Sequence, residues 1–273
     1  MKRSIMSAVV AVLLIILGLP RQAMSACANP NGTLNTTYGW LSDEGLLGGS
    51  NGKTPKIGDF VPFAQFGSLT FDGNGNVSGS HDTNLGGLLI PHVDSGTYNV
   101  NSDCATGTIF LTSNGFMMSF VITSGGQEIK YVSATTGGVN SGALRLVATT
   151  PCSVSTLSGY SYGYAAHGLV IAGNGNGYGR VGGYYPFADA GQISFQADGS
   201  LSGIDNVNFG GVVTPGLPIV GTYTVNVDCT GSTTMTVGGV DQSLYFVVLQ
   251  SANQVMFGAT PNGLIWSGTM TKF

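Results

Sequence analysis

Residues 96–104 read Gly-Thr-Tyr-Asn-Val-Asn-Ser-Asp-Cys, and residues 221–229 read Gly-Thr-Tyr-Thr-Val-Asn-Val-Asp-Cys. The two stretches begin 125 positions apart (221 − 96) and are identical at seven of nine positions. A repeat of this kind defines the domain unit before any strand is assigned. It indicates that the chain contains one domain written twice.

Further matches on both sides show that the repeat covers most of the chain. Pro-Phe-Ala at residues 62–64 recurs at 186–188, an offset of 124, and Ser-Gly at 141–142 recurs at 267–268, an offset of 126. The shifting offsets indicate a tandem duplication with small insertions in loops. The predicted units are a signal peptide at residues 1–25, a first repeat at 26–149 and a second repeat at 150–273.

The cysteines obey the same repeat, at positions Cys27, Cys104, Cys152 and Cys229. The first two are 77 positions apart, and so are the last two. Four cysteines allow three pairings, but equivalent positions in two copies favour the pairs 27–104 and 152–229. Closing such a loop stabilises a domain by roughly 4 kcal/mol in the chain-entropy model.

The first residues have the pattern of an export signal. Lys2 and Arg3 precede an apolar run over residues 5–19, and small residues follow at 23–26. The run is too short to span a bilayer comfortably, so we expect cleavage and export to the periplasm, cell surface or medium. The alternative is a lipid anchor at Cys27, which would break the disulfide symmetry. The rest of the sequence contains no second long apolar run, so no transmembrane helix is expected after signal removal.

The charge balance excludes nucleic acid as a partner. Cleavage removes three of nine basic residues and none of the thirteen acidic ones, which leaves 6 − 13 = −7. Such a surface repels phosphate backbones, whose binding requires clusters of Lys and Arg. Charged residues make up only 8% of the chain, and 44 residues are Gly. This composition is typical of a turn-rich extracellular β protein.

Within each copy the apolar residues recur with period two, which is the spacing of a half-buried strand. Residues 116–123 place Phe116, Met118, Phe120 and Ile122 on one face. Further strands of the first repeat are predicted at residues 38–41, 66–71, 76–80, 96–103, 108–112, 128–134 and 142–147. About eight short strands per repeat, joined by hairpin turns, predict two tandem antiparallel up-and-down β-barrels, with a β-sandwich as the alternative.

The repeated Gly-Thr-Tyr-x-Val-x-x-Asp-Cys phrase, together with Phe-Asp-Gly-Asn-Gly-Asn-Val-Ser-Gly at residues 71–79, resembles an uncharacterised family of exported bacterial proteins. Those proteins are similar to calycin-like barrels of the allene oxide cyclase type. The resemblance implies a hydrophobic lumen that holds an elongated apolar molecule, and some barrels of that type are cyclases. It transfers no catalytic residue to a position of this chain.

Aromatic residues shared by the copies are the candidate ligand contacts, because aromatic side chains that line a lumen bind apolar molecules. Plain core packing is the alternative role for each of them. The predicted set is Tyr38, Trp40, Phe60 and Phe63 in the first repeat and Tyr162, Tyr164, Tyr184 and Phe187 in the second.

No catalytic residue, metal site or cofactor is predicted. The histidines His81, His92 and His167 have no metal-binding spacing and no counterpart in the other copy, so they are interpreted as surface residues. Residues 72–76 open like a calcium loop, but Thr83 stands where the twelfth position requires Glu. That stretch is therefore interpreted as a hairpin turn.

Three further features have structural interpretations. The Gly-rich residues 173–179 lack the Lys-Ser/Thr of a phosphate-binding loop. Asp43 and Glu44 are adjacent, but neighbouring strand residues point to opposite faces, so they are not predicted to form a paired-carboxylate site. Asp103 and Asp228 precede matching cysteines, and we expect their carboxylates to cap the turn after the strand, with a catalytic acid as the alternative role.

Two function classes remain. The first is an exported non-enzymatic barrel protein that binds an apolar small molecule or acts as a cell-surface or matrix component. The second is a cyclase or isomerase that shapes an apolar substrate in a dry lumen. Open lumens with one or two polar groups inside would favour the enzyme.

Overall fold

A computed structural model describes residues 27–42, 45–48, 60–148, 151–171, 184–261 and 263–273. The predicted signal peptide lies outside the described residues, and so do Asp43, Glu44 and the Gly-rich residues 173–179. Among the described residues, no helix is both long enough and apolar enough to cross a membrane.

The first repeat forms a closed antiparallel barrel in which the third to the eighth strands pair in chain order. The first strand pairs with both the third and the tenth, which closes the barrel, while two short strands pair with each other beside the third. The strands are β1 (Thr37–Ser42), β2 (Gly45–Gly48), β3 (Phe60–Phe71), β4 (Asn76–Leu85), β5 (Leu88–Val100), β6 (Thr106–Leu111), β7 (Phe116–Thr123), β8 (Glu128–Ser133), β9 (Gly138–Val139) and β10 (Ser141–Leu146).

The second repeat forms a barrel of eight longer strands, closed by pairing of its first strand with its last. These strands are β11 (Ser161–Ile171), β12 (Tyr184–Phe195), β13 (Ser200–Phe209), β14 (Val212–Val225), β15 (Thr230–Val237), β16 (Val240–Val248), β17 (Gln254–Ala259) and β18 (Leu264–Lys272). One short helix, α1 (Val154–Leu157), precedes β11, and single 3-10 turns lie at Asn31–Thr33, Ser124–Gly126 and Gln250–Ala252. The predicted pair of up-and-down barrels is confirmed, and the sandwich alternative is wrong.

The predicted strands agree best where hydrophobic alternation is regular. Strand β7 has the predicted bounds and alternates buried and exposed side chains from Phe116 to Val121. In contrast, β4 extends five residues beyond the predicted end at Ser80. The prediction stopped there because the lumen-facing residues that follow include polar side chains such as His81, which interrupt the alternation of apolar residues. The pattern of buried apolar residues ends at Ser80, but the backbone pairing continues.

Both predicted disulfides are confirmed. Cys27 is bonded to Cys104, with Cα atoms 6.1 Å apart, and Cys152 to Cys229, with Cα atoms 4.9 Å apart. The predicted role of the preceding aspartates is also confirmed. The Asp103 carboxylate accepts hydrogen bonds from the backbone N–H groups two and three residues on, at 2.9 and 3.0 Å, and Asp228 accepts one at 3.1 Å.

The calcium-like stretch is a hairpin turn between β3 and β4, as predicted. Asp72 Oδ1 accepts hydrogen bonds from the backbone N–H groups of Asn74 and Asn76 at 2.8 and 2.9 Å. Asn76 Nδ2 donates to Asp72 Oδ2 at 2.7 Å. The carboxylate oxygens are therefore used inside the turn.

The two barrels pack directly against each other, and one apolar core includes residues of both. The ring of Phe66 in β3 lies over Gly258 in β17, where the absence of a side chain leaves room for the ring. The centroids of the Phe66 and Tyr245 rings are 5.7 Å apart. Buried Asn84 donates hydrogen bonds from Nδ2 to the carbonyl oxygens of Ala259 and Leu264, at 3.2 and 2.6 Å. The backbone N–H of Gly263 also donates to the carbonyl oxygen of Gly87 at 2.8 Å, so the end of the β4–β5 hairpin docks on the adjoining ends of β17 and β18.

Candidate functional site

The predicted aromatic residues are all buried, and strand alternation divides them into two groups. Phe60 and Phe63 are three positions apart in β3 and so point to opposite faces. Tyr184 packs with Ala64 and Ile265 between the barrels, and Phe60 occupies the equivalent position. These two residues therefore lie outside the lumens. The six that lie within the lumens are Tyr38, Trp40, Phe63, Tyr162, Tyr164 and Phe187.

A cavity of about 230 Å³ lies at one end of the first barrel. Its wall is mainly apolar and includes Phe63, Phe116 and Ile90. Its polar side chains include Gln65 and Thr83, which project from adjacent strands β3 and β4. The cavity thus combines apolar walls with a polar floor.

Beneath this floor lies a buried histidine–aspartate pair. His81 is 2% exposed, and its Nδ1 lies 2.5 Å from Asp94 Oδ2. When Nδ1 donates its proton to Asp94, Nε2 becomes an acceptor, and it lies 3.2 Å from Thr83 Oγ1. A hydrogen-bonded chain therefore runs from the cavity through Thr83 and His81 to Asp94.

The surroundings of Asp94 favour its ionised form. Burial raises the pKa of this carboxyl, but hydrogen bonds from His81 and from Ser113 lower it, with a net pKa below the ordinary value. Ser113 Oγ donates to Asp94 Oδ1 at 2.8 Å. Both oxygens of the buried carboxylate are thus satisfied, as a buried charge requires.

Aromatic rings fix the orientation of His81. The ring of Trp40 lies 4.5 Å from the imidazole, and His92 stacks on it with centroids 4.6 Å apart. Trp40 Nε1 donates to Tyr131 Oη at 2.7 Å, which holds the indole in place. Burial and then the neighbouring His81 lower the pKa of His92, so its neutral form is favoured.

The expectation that all three histidines lie at the surface is wrong for His81 and holds for His167, which is exposed. His92 is half-buried at the cavity. Period-two alternation from Val77 through Gly79 would have placed His81 in the lumen. The predicted strand ended one residue too early for that argument.

The second barrel has a different lumen. Trp266 occupies the position that Asn140 has in the first repeat, at the offset of 126 set by the matching Ser-Gly pairs. Its ring packs against Phe257 and Phe187, with centroids 5.3 and 5.9 Å away. An indole therefore fills the end of the second barrel where the first has its cavity.

Two buried carboxyls face this second lumen from adjacent strands. Asp189 in β12 and Asp205 in β13 are 6% and 1% exposed, and one oxygen of each has no hydrogen-bond partner among the described residues. Burial, followed by repulsion from Asp205, raises the pKa of Asp189 to about 8. Burial also raises the pKa of Asp205, which is hydrogen-bonded to Tyr164. Two close buried carboxyls favour a protonated state.

Across the part of the chain that the structure describes, no group of three or more His, Cys, Asp or Glu side chains is placed to hold a metal ion.

Comparisons with known proteins give only distant structural likeness. No protein-family model matches the chain, and no curated protein matches it. It is similar to a DUF3598-family protein of unknown function from Nostoc punctiforme PCC 73102, over 90% of this chain and 100% of that one, with 11% identity and a TM-score of 0.25. It is also similar to a double mutant of Transferrin Binding Protein B from Haemophilus parasuis Hp5, over 87% and 76%, with 8% identity and a TM-score of 0.32. At these TM-scores the likeness supports no argument about function.

Proposed function

We propose that this protein is exported and that its first barrel binds a small, largely apolar molecule carrying one hydrogen-bonding group. The observation that carries the proposal is the cavity with apolar walls around Phe63 and Phe116 and a polar floor of Gln65 and Thr83. Small-molecule sites have this composition, in which apolar surface supplies affinity and a few polar groups supply orientation. The proposal includes the assignment of the first barrel to the calycin-like type of ligand-binding barrel.

Two disulfides support the exported location, because such bonds persist in oxidising compartments. The bond between Cys27 and Cys104 uses the sulfur that a lipid anchor would need. We therefore propose a protein without lipid at Cys27, in the periplasm, at the cell surface or in the medium.

The cavity size limits the ligand. Drug-sized molecules occupy pockets of roughly 300–1,000 Å³, whereas an apolar cavity of about 150 Å³ binds benzene. The cavity of about 230 Å³ in the first barrel lies between these cases. A single substituted ring or a short branched chain has the appropriate volume.

A pair of isosteric probes tests the proposal. We expect 4-methylphenol to bind more tightly than 1,4-dimethylbenzene, because its hydroxyl group reaches the amide of Gln65 or the hydroxyl of Thr83. One hydrogen bond contributes about 1 kcal/mol, or about fivefold in affinity. Isothermal titration with each probe measures the difference, and equal affinities would contradict a polar floor.

Two threonine variants locate the site. Thr83→Val removes the hydroxyl at the cavity, while Thr233→Val makes the same change in the lumen of the second barrel, where the side chain is also buried. We expect Thr83→Val to remove most of the preference for 4-methylphenol and Thr233→Val to leave it unchanged. The opposite pattern would place the probe in the second barrel.

The hydrogen-bonded chain favours a second candidate function, an isomerase that moves a proton on its substrate. Thr83 would take a proton from substrate carbon while passing its own proton to His81 Nε2, and Asp94 would stabilise the resulting imidazolium. Returning the proton to another carbon completes an isomerisation with no other reactant. General acid–base transfer of this kind contributes roughly 10²–10⁴-fold in rate.

Conversion of 3-cyclohexen-1-one to its conjugated isomer, followed by ultraviolet absorbance, tests this second function. We expect a rate above that of buffer that falls in Thr83→Val and Asp94→Asn while the affinity for 1,4-dimethylbenzene is retained. A wild-type rate equal to that of Asp94→Asn would leave ligand binding alone as the function.

A further inference from the structure

The contact between the two barrels joins two different faces of the same domain. The docking face of the first repeat consists of Ala64, Phe66 and Asn84, and the receiving face of the second repeat consists of Gly258 and Ile265 with the turn between β17 and β18. Because the chain is a duplication, each repeat carries an equivalent of both faces. Among the residues that the structure describes, one docking face and one receiving face therefore remain without a partner.

The second repeat exposes its equivalent of the docking face. Ala188, Ala190 and Asn208 correspond to Ala64, Phe66 and Asn84 at the offset of 124, and all three are exposed. The adjoining hairpin of β13 and β14 exposes large apolar side chains, namely Phe209, Val212 and Val213. A groove of about 660 Å³ lined by Ala165, Ala190 and Ile204, among others, runs across this face.

The first repeat exposes its equivalent of the receiving face. Val132 and Val139 correspond to Gly258 and Ile265 at the offset of 126, and they are exposed where Ile265 is fully buried. Val121, which corresponds to the buried Val247, is also exposed. Lys130 beside them is ion-paired with Glu128 at 3.0 Å. These apolar side chains are exposed at positions whose equivalents in the second repeat are buried, which makes this face a candidate interaction site.

The two free faces complement each other in size. Within the chain, the large Phe66 of the docking face packs on Gly258 of the receiving face. On the two unpartnered faces, the small Ala190 of the second repeat stands in place of Phe66, and the larger Val132 of the first repeat stands in place of Gly258. Such a volume-conserving exchange preserves packing. Asn208 is likewise placed to donate to backbone carbonyls of a receiving turn, as Asn84 does.

We propose that copies of this chain associate head to tail, with the docking face of the second repeat on the receiving face of the first repeat of the next copy. The contact repeats the one between the barrels of each chain. It joins unlike faces, so it propagates into a ring or an open filament rather than stopping at a symmetric dimer. Such an assembly accords with a role as a surface or matrix component.

Sedimentation velocity of the mature protein over a range of concentrations tests the proposal. We expect reversible species larger than a dimer in the wild type. Val213→Glu on the docking face and Val132→Glu on the receiving face each bury a charge in the contact and weaken association by at least about tenfold. Val240→Glu is the matched control, because Val240 and Val213 are both 62% exposed. It should associate as the wild type does.

An equal mixture of the two disrupted variants separates this proposal from other modes of association. Each variant keeps one intact face, so the mixture should form dimers and nothing larger. A wild type that stays monomeric at every concentration would overturn the proposal. So would a mixture that stays monomeric while the wild type associates, or a Val240→Glu variant as impaired as Val213→Glu.

Discussion

The two barrels share their strand order, their disulfide and their turns, yet their lumens carry different chemistry. The first lumen contains a paired, ionised carboxylate beneath an open cavity, and the second contains two close carboxyls beneath a packed indole. Equivalent positions differ at Gln65 and Asp189, His81 and Asp205, Asp94 and Ile219, and Asn140 and Trp266. The two copies therefore retain the residues that build the barrel, whereas the polar residues that face its interior have diverged.

The disulfides belong to the shared scaffold, so their removal should affect both repeats equally. Replacing both Cys27 and Cys104 by Ser, or both Cys152 and Cys229, opens a loop of the same length. We expect each pair of substitutions to lower the free energy of unfolding by roughly 4 kcal/mol. Chemical denaturation measures both losses. A negligible loss in one repeat would show that its bridge contributes nothing to the stability of that barrel.

The buried hydrogen bond between His81 and Asp94 is a feature of the first lumen. Asp94→Asn replaces the charged acceptor of His81 with a neutral one, and hydrogen bonds to charged groups contribute about 1.5–3 kcal/mol. We expect a loss of about 2 kcal/mol in unfolding free energy at neutral pH. Unchanged stability would contradict a functional pairing of Asp94 with His81.

The lumens should respond to pH with opposite sign. Asp189 has a folded pKa of about 8 against an ordinary value of 3.8, so its protonated form stabilises the fold in acid. That contribution is lost as pH rises between these values, at up to about 1.4 kcal/mol per pH unit. The pKa of Asp94 is lowered in the folded protein. The ionised Asp94 therefore stabilises the fold at pH values above its ordinary pKa, and this stabilisation is lost as the pH falls through its folded pKa.

Unfolding free energies of the wild type, Asp189→Asn and Asp94→Asn from about pH 2 to pH 8 check the two signs. We expect Asp189→Asn to reduce the loss of stability on raising the pH, while Asp94→Asn leaves that loss in place. Identical pH profiles for Asp189→Asn and the wild type would contradict a protonated carboxyl in the second lumen.

The smallest effects should again be equal in the two repeats. Tyr98 Oη donates to the carbonyl oxygens of Asn31 and Leu34, at 2.9 and 2.8 Å. Its counterpart Tyr223 donates to that of Gln196 at 2.8 Å. We expect Tyr98→Phe and Tyr223→Phe each to cost about 1 kcal/mol of unfolding free energy. A large difference between the two would contradict equivalent scaffolds.

Much of the scaffold could be predicted from the sequence, because repeated turns, cysteines and alternating apolar residues each have a local signature. The disulfide pairs and the barrel class followed from these features. The ligand floor did not, because His81, Asp94 and Gln65 are polar residues on lumen-facing strand positions. Polar residues weaken the alternation that identifies a strand, so the strand was ended before the site.

One difference between the two copies indicates which barrel has the open end. Asn140 aligns with Trp266 through the adjacent Ser-Gly matches, and this exchange of a large ring for a small amide accompanies the open end in one barrel and the filled end in the other. In contrast, the contact between the barrels had no local signature. Phe66 and Gly258 are distant in sequence, and only their packing shows that they meet.

Assignment of the ligand site to the first barrel rather than the second predicts which residues a bound probe perturbs. Chemical-shift mapping by NMR of the protein without residues 1–25, during titration with 4-methylphenol, locates the bound probe. We expect saturable shifts at Phe63, Thr83 and Phe116, with the residues around Trp266 unaffected. Shifts centred on Trp266 and Phe187, or no saturable shifts in either lumen, would contradict it.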